Sequence, residues 1–218
     1  MKQIPLLKSL PIPSRDINSR SGPNRAELVA IAKQFGELYF DGPRDSGCGG
    51  YRYDGRWLSV AKDLISIYGL AAGMRVLDVG CAKGFLVKDI LKVSPDLEVF
   101  GLDVSEYAIT HCDPTVVGRL HLGSADKLPF PDNSFDAVLA LNVLQILPLE
   151  RTIVALQEIE RVSTRCSFVQ VTSYHTDEQK SRCEFWSLSA QHHHSPAGWL
   201  ELFLKAGYTG DYDWTIFE

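Results

Sequence analysis

The chain has 218 residues, of which 45% are hydrophobic and 22% charged, a balance typical of one globular domain with additional segments. Its 22 Lys and Arg against 27 Asp and Glu give a formal net charge of −5, which disfavours nucleic-acid partners because binding to phosphates requires a basic face. No stretch approaches the roughly 20 apolar residues of a membrane helix, so no membrane partner is expected. The five scattered cysteines and the lack of a signal-peptide core favour a cytoplasmic protein.

The N-terminal quarter of the chain differs in pattern from the rest. Residues 1–24 are rich in Pro, Ser, Arg and Asn without sustained periodicity, which predicts a flexible arm. From Asn24, a candidate N-cap, apolar residues at helical spacing predict an amphipathic helix that ends near Gly42. The span 41–56 contains five glycines and predicts a loop, so 25–56 is interpreted as a helical cap with a Gly-rich lid loop.

The main domain is predicted to span 57–218, beginning with a helix from Trp57 to Tyr68. After Gly73, apolar runs at 74–80, 97–104, 119–125, 134–143 and 166–174 predict strands, with helices between them. Two more stretches, 182–191 and 213–218, are strand-like, and a helix capped by Ser195 ends at Gly207. This alternation is typical of an α/β fold with a parallel sheet and helices on both faces.

The most informative segment is VLDVGCAKGF, residues 76–85, in which a buried strand enters a turn of small residues. Ligands of open α/β sheets bind at such turns, and Gly80 and Gly84 let a ligand approach the backbone. Asp103 follows the second strand, where a carboxylate can accept hydrogen bonds from both ribose hydroxyls of a nucleoside. The spacing GxxxG does not match the GxGxxG of dinucleotide sites. Asp78 instead suits a cationic ligand with an ammonium group, such as S-adenosyl-L-methionine (SAM).

Four blocks carry a resemblance to a known family: VLDVGCAKGFL, VFGLDVS, GSADKLPFPDNSFDAVLALNVL and LERTIVALQEIERV. Over roughly residues 57–173 they resemble the class I SAM-dependent methyltransferases of the small-molecule branch, in order and spacing. The resemblance implies SAM as methyl donor, S-adenosyl-L-homocysteine (SAH) as product, and a Rossmann-like, seven-stranded, mostly parallel sheet. It also implies adenine contacts at Ala125 and Asp126 and methionine contacts at Asn142 and Val143. One departure is Ala82, where the family often has Gly.

The segment before the core is a candidate lid. Two phenols, a guanidinium and an indole occur in close succession there, and Arg56 is predicted to pair with the carboxylate of the cofactor. The alternative is that these aromatic residues pack the first core helix onto the sheet. The expected cofactor-binding residues are therefore Asp78, Gly80, Cys81, Ala82, Gly84, Phe85, Asp103, Val104, Ala125, Asp126, Asn142, Val143, Tyr53 and Arg56.

The acceptor side is predicted from weaker signals. Three consecutive histidines on an extended chain point to alternate faces, so at most two could reach one ion, and no HxH or HExxH pattern supports a metal site. No metal is expected. A histidine with a pKa near 6.5 suits a general base instead, and the candidates are His192, His193, His194 and His175. The substrate-binding candidates are Tyr51, Trp57, Gln145, Glu184 and Trp186.

The function predicted from these patterns is O-methylation of a sugar or another small polar metabolite, with a C-terminal extension from about residue 174 that helps to form the acceptor pocket. The segment 49–57 and the ending GYTGDYDWTIF resemble bacterial methyltransferases suspected of modifying such compounds. The alternatives are N- or C-methylation of a small molecule, a non-catalytic SAM- or SAH-binding module, and an NAD-dependent oxidoreductase. Nucleic-acid amino-methylation is disfavoured because Asn142 is not followed by a Pro-Pro-aromatic run.

Overall fold

The structure of the protein, a computed structural model, describes residues 1–10, Arg20 and 24–217. Its strands are β1 (Arg75–Val79), β2 (Glu98–Asp103), β3 (Leu120–Leu122), β4 (Phe135–Leu141), β5 (Ser163–Ser173) and β6 (Asp211–Ile216). Its α-helices are α1 (Arg25–Ala32), α2 (Glu37–Phe40), α3 (Leu58–Tyr68), α4 (Phe85–Val93), α5 (Glu106–Thr110), α6 (Leu149–Val162), α7 (Asp177–Trp186) and α8 (Pro196–Ala206).

All strand pairings of the described sheet are parallel, in the order β3-β2-β1-β4-β5-β6. The predicted Rossmann-like architecture is confirmed, but the described residues form six strands and not seven. The stretch 182–191, interpreted as strand-like, forms the end of α7 and the bend after it. The reason is local, because the Thr176 side chain accepts a hydrogen bond from the Gln179 N–H and starts a helix that continues through Trp186.

Helices cover both faces of the sheet, as the alternation predicts. On one face, α6 and α8 bury Leu156, Trp199 and Phe203, and on the other, α3 and α4 bury Leu64 and Ile90. Strands covered on both faces are apolar along most of their length, which explains why they stand out in the sequence. No helix in the described ranges is long and apolar enough to cross a membrane.

The N-terminal cap contains two short helices and not the single predicted helix. Phe35 has a φ of 49° and separates α1 from α2. Its carbonyl accepts a hydrogen bond from Ser105 Oγ (2.5 Å), while the Tyr39 N–H donates to the Gly36 carbonyl, so the helical ladder is broken at this point. The Asn24 side chain makes no capping hydrogen bond, although the residue lies at the N-cap position of α1.

The first ten residues lie along the edge of the sheet. The Ile4 N–H donates to the Tyr212 carbonyl (2.9 Å), the Tyr212 N–H donates to the Lys2 carbonyl (3.0 Å), and Leu6 is buried. This N-terminal segment therefore pairs with the backbone of β6 at the edge of the sheet. Of the predicted flexible arm, residues 11–19 and 21–23 lie outside the described residues.

Candidate functional site

The strand order reverses between β1 and β4, and in open α/β sheets ligands bind at the carboxyl ends of the strands beside such a point. Asp78 lies near the end of β1, Asp103 ends β2, and Asn142 follows β4 directly. The structure therefore brings together three of the residues predicted to bind a cofactor. We call this group of strand ends the cofactor edge.

The turn after β1 is built on positive backbone angles. Gly80 has a φ of 80°, and a Cβ at this position would lie 2.0 Å from Val143 Cγ2, so only glycine fits between β1 and the segment after β4. Ala82, the departure from the family pattern, also has a positive φ (49°). Gly84 (φ 76°) precedes α4, which completes the strand, turn and helix predicted from the sequence.

Asp103 is held in place by backbone donors. Its Oδ2 accepts a hydrogen bond from the Ala82 N–H and its Oδ1 from the Ser105 N–H, both at 2.8 Å. Burial raises the pKa of the Asp103 carboxyl, and the backbone hydrogen bonds oppose that rise. A carboxylate has about four acceptor positions, so each oxygen can still accept a ribose hydroxyl. Val104, the next residue, is exposed.

Asp78 is buried, with 4% of its surface exposed, and no hydrogen bond to its carboxylate is found among the described residues. Burial, and secondarily the charge of Asp103, raises the pKa of Asp78 to about 7. A buried carboxylate without a cationic partner is costly unless a ligand supplies the positive charge. The residues of this edge therefore fit SAM, whose methionine part carries an ammonium group and whose nucleoside carries a ribose.

The N-terminal cap is attached to the cofactor edge by contacts that the sequence could not reveal. The Lys83 ammonium, in the turn after β1, pairs with the Asp41 carboxylate at 2.6 Å. The Tyr107 hydroxyl of α5 donates to the same carboxylate at 2.7 Å. The Tyr51 ring stacks on Phe85 with centroids 4.8 Å apart, and burial raises the pKa of Tyr51. The cap thus packs directly beside the predicted cofactor-binding turn.

Other predicted lid residues have partners elsewhere. The Arg56 guanidinium is about half exposed and pairs with Asp54, so the structure does not bring it to the cofactor edge as predicted. The Tyr53 hydroxyl donates to Asp89 Oδ1 (2.6 Å), which raises the pKa of Tyr53 to about 12 and ties this ring to α4. Trp57 packs against the α3 and α4 core, which corresponds to the alternative interpretation of the aromatic residues.

At the predicted adenine end, Ala125 is buried and Asp126 is half-buried. The Asp126 carboxylate is paired with the Arg151 guanidinium and accepts a hydrogen bond from Ser124 Oγ. The hydrogen bonds from Arg151 hold the pKa of Asp126 below its usual range. Its role as acceptor for the adenine amino group stays a prediction, and Arg151 is a neighbour that the sequence did not reveal.

A cavity of about 530 Å³ opens at the carboxyl ends of β4, β5 and β6. Gln145 and Gln170, 5% and 3% exposed, line it, and the Oε1 atom of each is buried without a hydrogen-bond partner in the described part of the chain. Two predicted residues besides Gln145, namely Asn142 and Trp186, also line it. Lining residues that the sequence reasoning missed include Gln170, Thr172, Ser189, Tyr39, Lys8 and Arg20. Gln170 and Thr172 are polar residues inside an apolar strand, a pattern from which a role in a binding site could have been predicted.

The histidine cluster lies away from the described lining of this cavity. His192 Nε2 is 2.9 Å from the Thr152 hydroxyl oxygen, and the His192 and His194 rings lie 5.5 and 5.2 Å from the Trp199 ring. Burial, together with the neighbouring histidines, lowers the pKa of His192 to about 4. His193 is half-buried, while His175 and Glu184 are exposed and do not line the cavity. The described residues contain no group of three or more His, Cys, Asp and Glu that could hold a metal.

This placement makes a packing role for His192 testable. We expect His192→Ala to lower the free energy of unfolding by about 1–3 kcal/mol, because buried Thr152 and Trp199 lose a neighbour, and to leave SAM affinity unchanged. His175→Ala, at an exposed position, is the control and is expected to change neither quantity. Denaturant unfolding and calorimetry measure both. Lost turnover in a His192→Ala chain of normal stability and SAM affinity would instead identify a general base.

Comparisons with known proteins agree with this geometry. Residues 77–166 match the family described as "Methyltransferase domain". The chain is 33% identical over 117 residues to a demethylmenaquinone methyltransferase of Symbiobacterium thermophilum, covering 50% of this chain and 45% of that protein. It is 39% identical over 80 residues to the sterol 24-C-methyltransferase ERG6B of Gibberella zeae, covering 34% of this chain and 21% of that protein. The chain thus spans less than half the length of these curated relatives.

Solved structures show the same fold. A SAM-dependent methyltransferase from Aquifex aeolicus matches with a TM-score of 0.51 and 20% identity, covering 88% of this chain and 86% of that one. The YcgJ protein of Bacillus subtilis matches with a TM-score of 0.53 and 21% identity, covering 67% and 66%. Residues 77–166 are therefore similar in sequence to a methyltransferase domain, and the described part of the chain has the same fold as these solved structures.

Proposed function

We propose that the chain transfers a methyl group from SAM to a hydroxyl group of a small polar molecule held in the 530 Å³ cavity. The observation that carries this proposal is a pair of glutamines that line the cavity, Gln145 and Gln170, each with a buried Oε1 atom that has no hydrogen-bond partner among the described residues. A buried acceptor left unsatisfied costs about 1–3 kcal/mol. A hydroxyl donor of a bound acceptor would remove that cost.

The cofactor edge holds the methyl donor in this proposal. Asp103 accepts hydrogen bonds from the ribose hydroxyls, and Asp78 faces the ammonium group. The backbone of the turn from Gly80 to Gly84 lies against the ligand. Asn142 and Val143 lie beside the methionine part, where the cavity begins. SAM supplies an electrophilic methyl group, and the chain's contribution is to position the acceptor oxygen and to exclude water.

The acceptor side fits a hydroxylated molecule. Gln145 lies in the short helical turn after β4, and its Nε2 donates hydrogen bonds to the Thr172 hydroxyl oxygen (3.3 Å) and to Asn142 Oδ1 (3.5 Å). Gln145 cannot remove a proton, and the described lining contains no histidine. We therefore propose that catalysis rests on orientation of the acceptor hydroxyl. A volume of 530 Å³ suits a molecule of metabolite size, such as a sugar or secondary metabolite.

Substitution of Gln145 tests this function. In Gln145→Leu, we expect kcat/KM toward a responsive hydroxylated acceptor to fall roughly 5- to 150-fold, the effect of a lost hydrogen bond of 1–3 kcal/mol, with SAM affinity unchanged. Gln157→Leu, at an exposed position of α6, is the matched control and should keep full activity. The measurement is turnover on a panel of hydroxylated metabolites, with methylated products identified by mass spectrometry and NMR.

Other outcomes of the same experiment contradict the proposal. Methyl groups attached to carbon or nitrogen would place the chain with C- or N-methyltransferases. The name of the sterol 24-C-methyltransferase from Gibberella makes carbon the first atom to examine. Binding of SAM and SAH without turnover on any acceptor would indicate a non-catalytic binding module. Unchanged turnover in Gln145→Leu would remove the amide oxygens from acceptor recognition.

A further inference from the structure

The cavity concentrates positive charge in an acidic protein. Among the described residues that line it, Lys8, Arg20 and Arg44 are cationic and Asp213 alone is acidic, whereas the whole chain has a net charge of −5. The Asp213 carboxylate accepts a hydrogen bond from Gln3 Nε2 (2.9 Å). It forms no ion pair with the lining cations among the described residues. The described lining is therefore electropositive.

Arg20 is the most deeply buried of these cations, with 6% of its surface exposed. Three of the five guanidinium N–H donors reach backbone carbonyls: Nη1–H donates to Trp186 (2.7 Å), and Nη2 donates to Arg44 (2.8 Å) and Gly47. The guanidinium carbon lies 4.0 Å from the centroid of the Trp186 ring. The Nε–H group is buried and has no hydrogen-bond partner among the described residues.

No carboxylate of the described residues forms an ion pair with Arg20. Burial, and then the charge of Arg44, lowers the pKa of Arg20 to about 10, while Asp45 opposes this only as a lesser effect. Arg44 lies over the same Trp186 ring, at 5.1 Å from its centroid, and so adds charge of the same sign. A buried cation without a counter-ion is unfavourable, and a negatively charged ligand would remove that penalty.

We propose that Arg20 binds an oxyanion of the acceptor, a carboxylate or a phosphate group, so that the acceptor is a hydroxylated acid and not a neutral sugar. The planar guanidinium is the side chain best suited to such groups. Gln145 and Gln170 would accept hydrogen bonds from the hydroxyls of the same molecule. This assignment of the hydroxyl rests on the proposed function, whereas binding of the oxyanion does not.

The competing explanation is a purely structural role. Arg20 connects the loop that contains Gly47 with the C-terminal end of α7 through three carbonyls, and that alone could account for its burial. A structural role, however, leaves the Nε–H group without a purpose and does not make ligand binding depend on ligand charge. The test therefore compares anionic ligands with a neutral ligand that has the same aromatic ring.

The experiment uses benzoate, phenyl phosphate and benzamide as probes of the full chain in the presence of SAH, with affinities measured by ligand-observed NMR titration. We expect benzoate or phenyl phosphate to bind at least tenfold more tightly than benzamide. Whichever anion binds more tightly identifies the oxyanion as carboxylate or phosphate. In Arg20→Gln, we expect anion affinity to fall to the benzamide level, whereas Arg165→Gln, at an exposed position outside the described cavity lining, should behave as the unmodified chain.

Arg20→Lys keeps the positive charge and serves as a second variant in case Arg20→Gln does not fold. We expect Arg20→Lys to retain most of the preference for the anion. Equal affinities for the three probes, or a preference that survives Arg20→Gln, would overturn the proposal. The proposal of methyl transfer and the proposal for Arg20 can fail separately. An anion preference without methyl transfer would contradict only the methylation, and turnover of neutral acceptors without anion preference would contradict only the role of Arg20.

Discussion

Replacing Asp78 by Asn is expected to stabilise the ligand-free chain at pH 8 and to weaken its binding of SAM. The Asp78 carboxyl has a pKa of about 7 in the folded chain, against a value near 3.9 in an unfolded one. The difference corresponds to roughly 4 kcal/mol of folding free energy lost when the group is ionised. Asn has the same shape and no charge, so it removes this cost together with the proposed partner of the SAM ammonium group.

The stability difference between Asp78→Asn and the unmodified chain is expected to depend on pH. Below about pH 4 the carboxyl is protonated in both states and costs nothing, and stability is lost as the pH rises toward 7 because only the unfolded chain ionises freely. The advantage of Asp78→Asn should thus be full at pH 8 and shrink toward pH 4. Denaturant unfolding across this range measures it, and Asp96→Asn, at an exposed position, is the control. A difference that does not vary with pH would contradict the buried, unpaired state of Asp78.

The effect on the cofactor is measured separately. Calorimetric titration at pH 8 should show SAM affinity of Asp78→Asn weakened by about 1–3 kcal/mol, the range for loss of a charged hydrogen-bond partner. Asp96→Asn should bind SAM as the unmodified chain does. A gain in stability with unchanged SAM affinity would remove Asp78 from the cofactor site while leaving its buried carboxyl explained.

Gly80→Ala is expected to lower the free energy of unfolding far more than Gly73→Ala, although the φ angles of the two glycines are almost the same. Their φ angles are 80° and 79°, so both substitutions carry the strain of a left-handed alanine, about 1–2 kcal/mol. At Gly73 a new Cβ has no heavy atom within 4 Å, whereas at Gly80 it meets Val143 Cγ2 at 2.0 Å. Overpacking of this kind adds about 1–3 kcal/mol, and we expect SAM binding to be lost.

A second substitution separates the clash from the strain. Because the obstacle is the Val143 side chain, Val143→Ala combined with Gly80→Ala should recover part of the lost stability, so that the two effects are not additive. Denaturant unfolding of the single and double variants measures this coupling. Equal losses for Gly73→Ala and Gly80→Ala, or strictly additive losses in the double variant, would contradict the close approach of β1 to the segment after β4.

The sequence predicted the elements whose signals are local. Helix α6 spans Leu149–Val162, the residues of LERTIVALQEIERV, because its apolar face repeats at helical spacing. The strands β1, β2 and β4 are apolar runs between turn residues. The errors occur where tertiary contacts decide, as at Phe35, whose carbonyl is taken by Ser105 Oγ from another element. The mostly polar helix α7 was missed because its start depends on a single cap at Thr176.

The same distinction holds for the candidate site. Asp78, Gly80 and Asp103 lie at the ends of two consecutive strands, and a known spacing relates them. The cavity, in contrast, is assembled from Arg20, Gln145 and other residues distant in the chain, which no spacing rule connects. The three histidines illustrate the converse. Their residue type suggested a general base, but in the structure His192 and His194 pack against Trp199.

The central claim is that the cofactor edge binds a SAM-type ligand. Calorimetric titration of SAM, SAH and NAD into the unmodified chain tests it most directly. We expect saturable binding of one SAM or one SAH per chain and no binding of NAD. The reason is that Asp78 and the turn from Gly80 to Gly84 suit an ammonium group and a ribose but not a pyrophosphate. Binding of NAD, or no binding of either SAM or SAH, would contradict it.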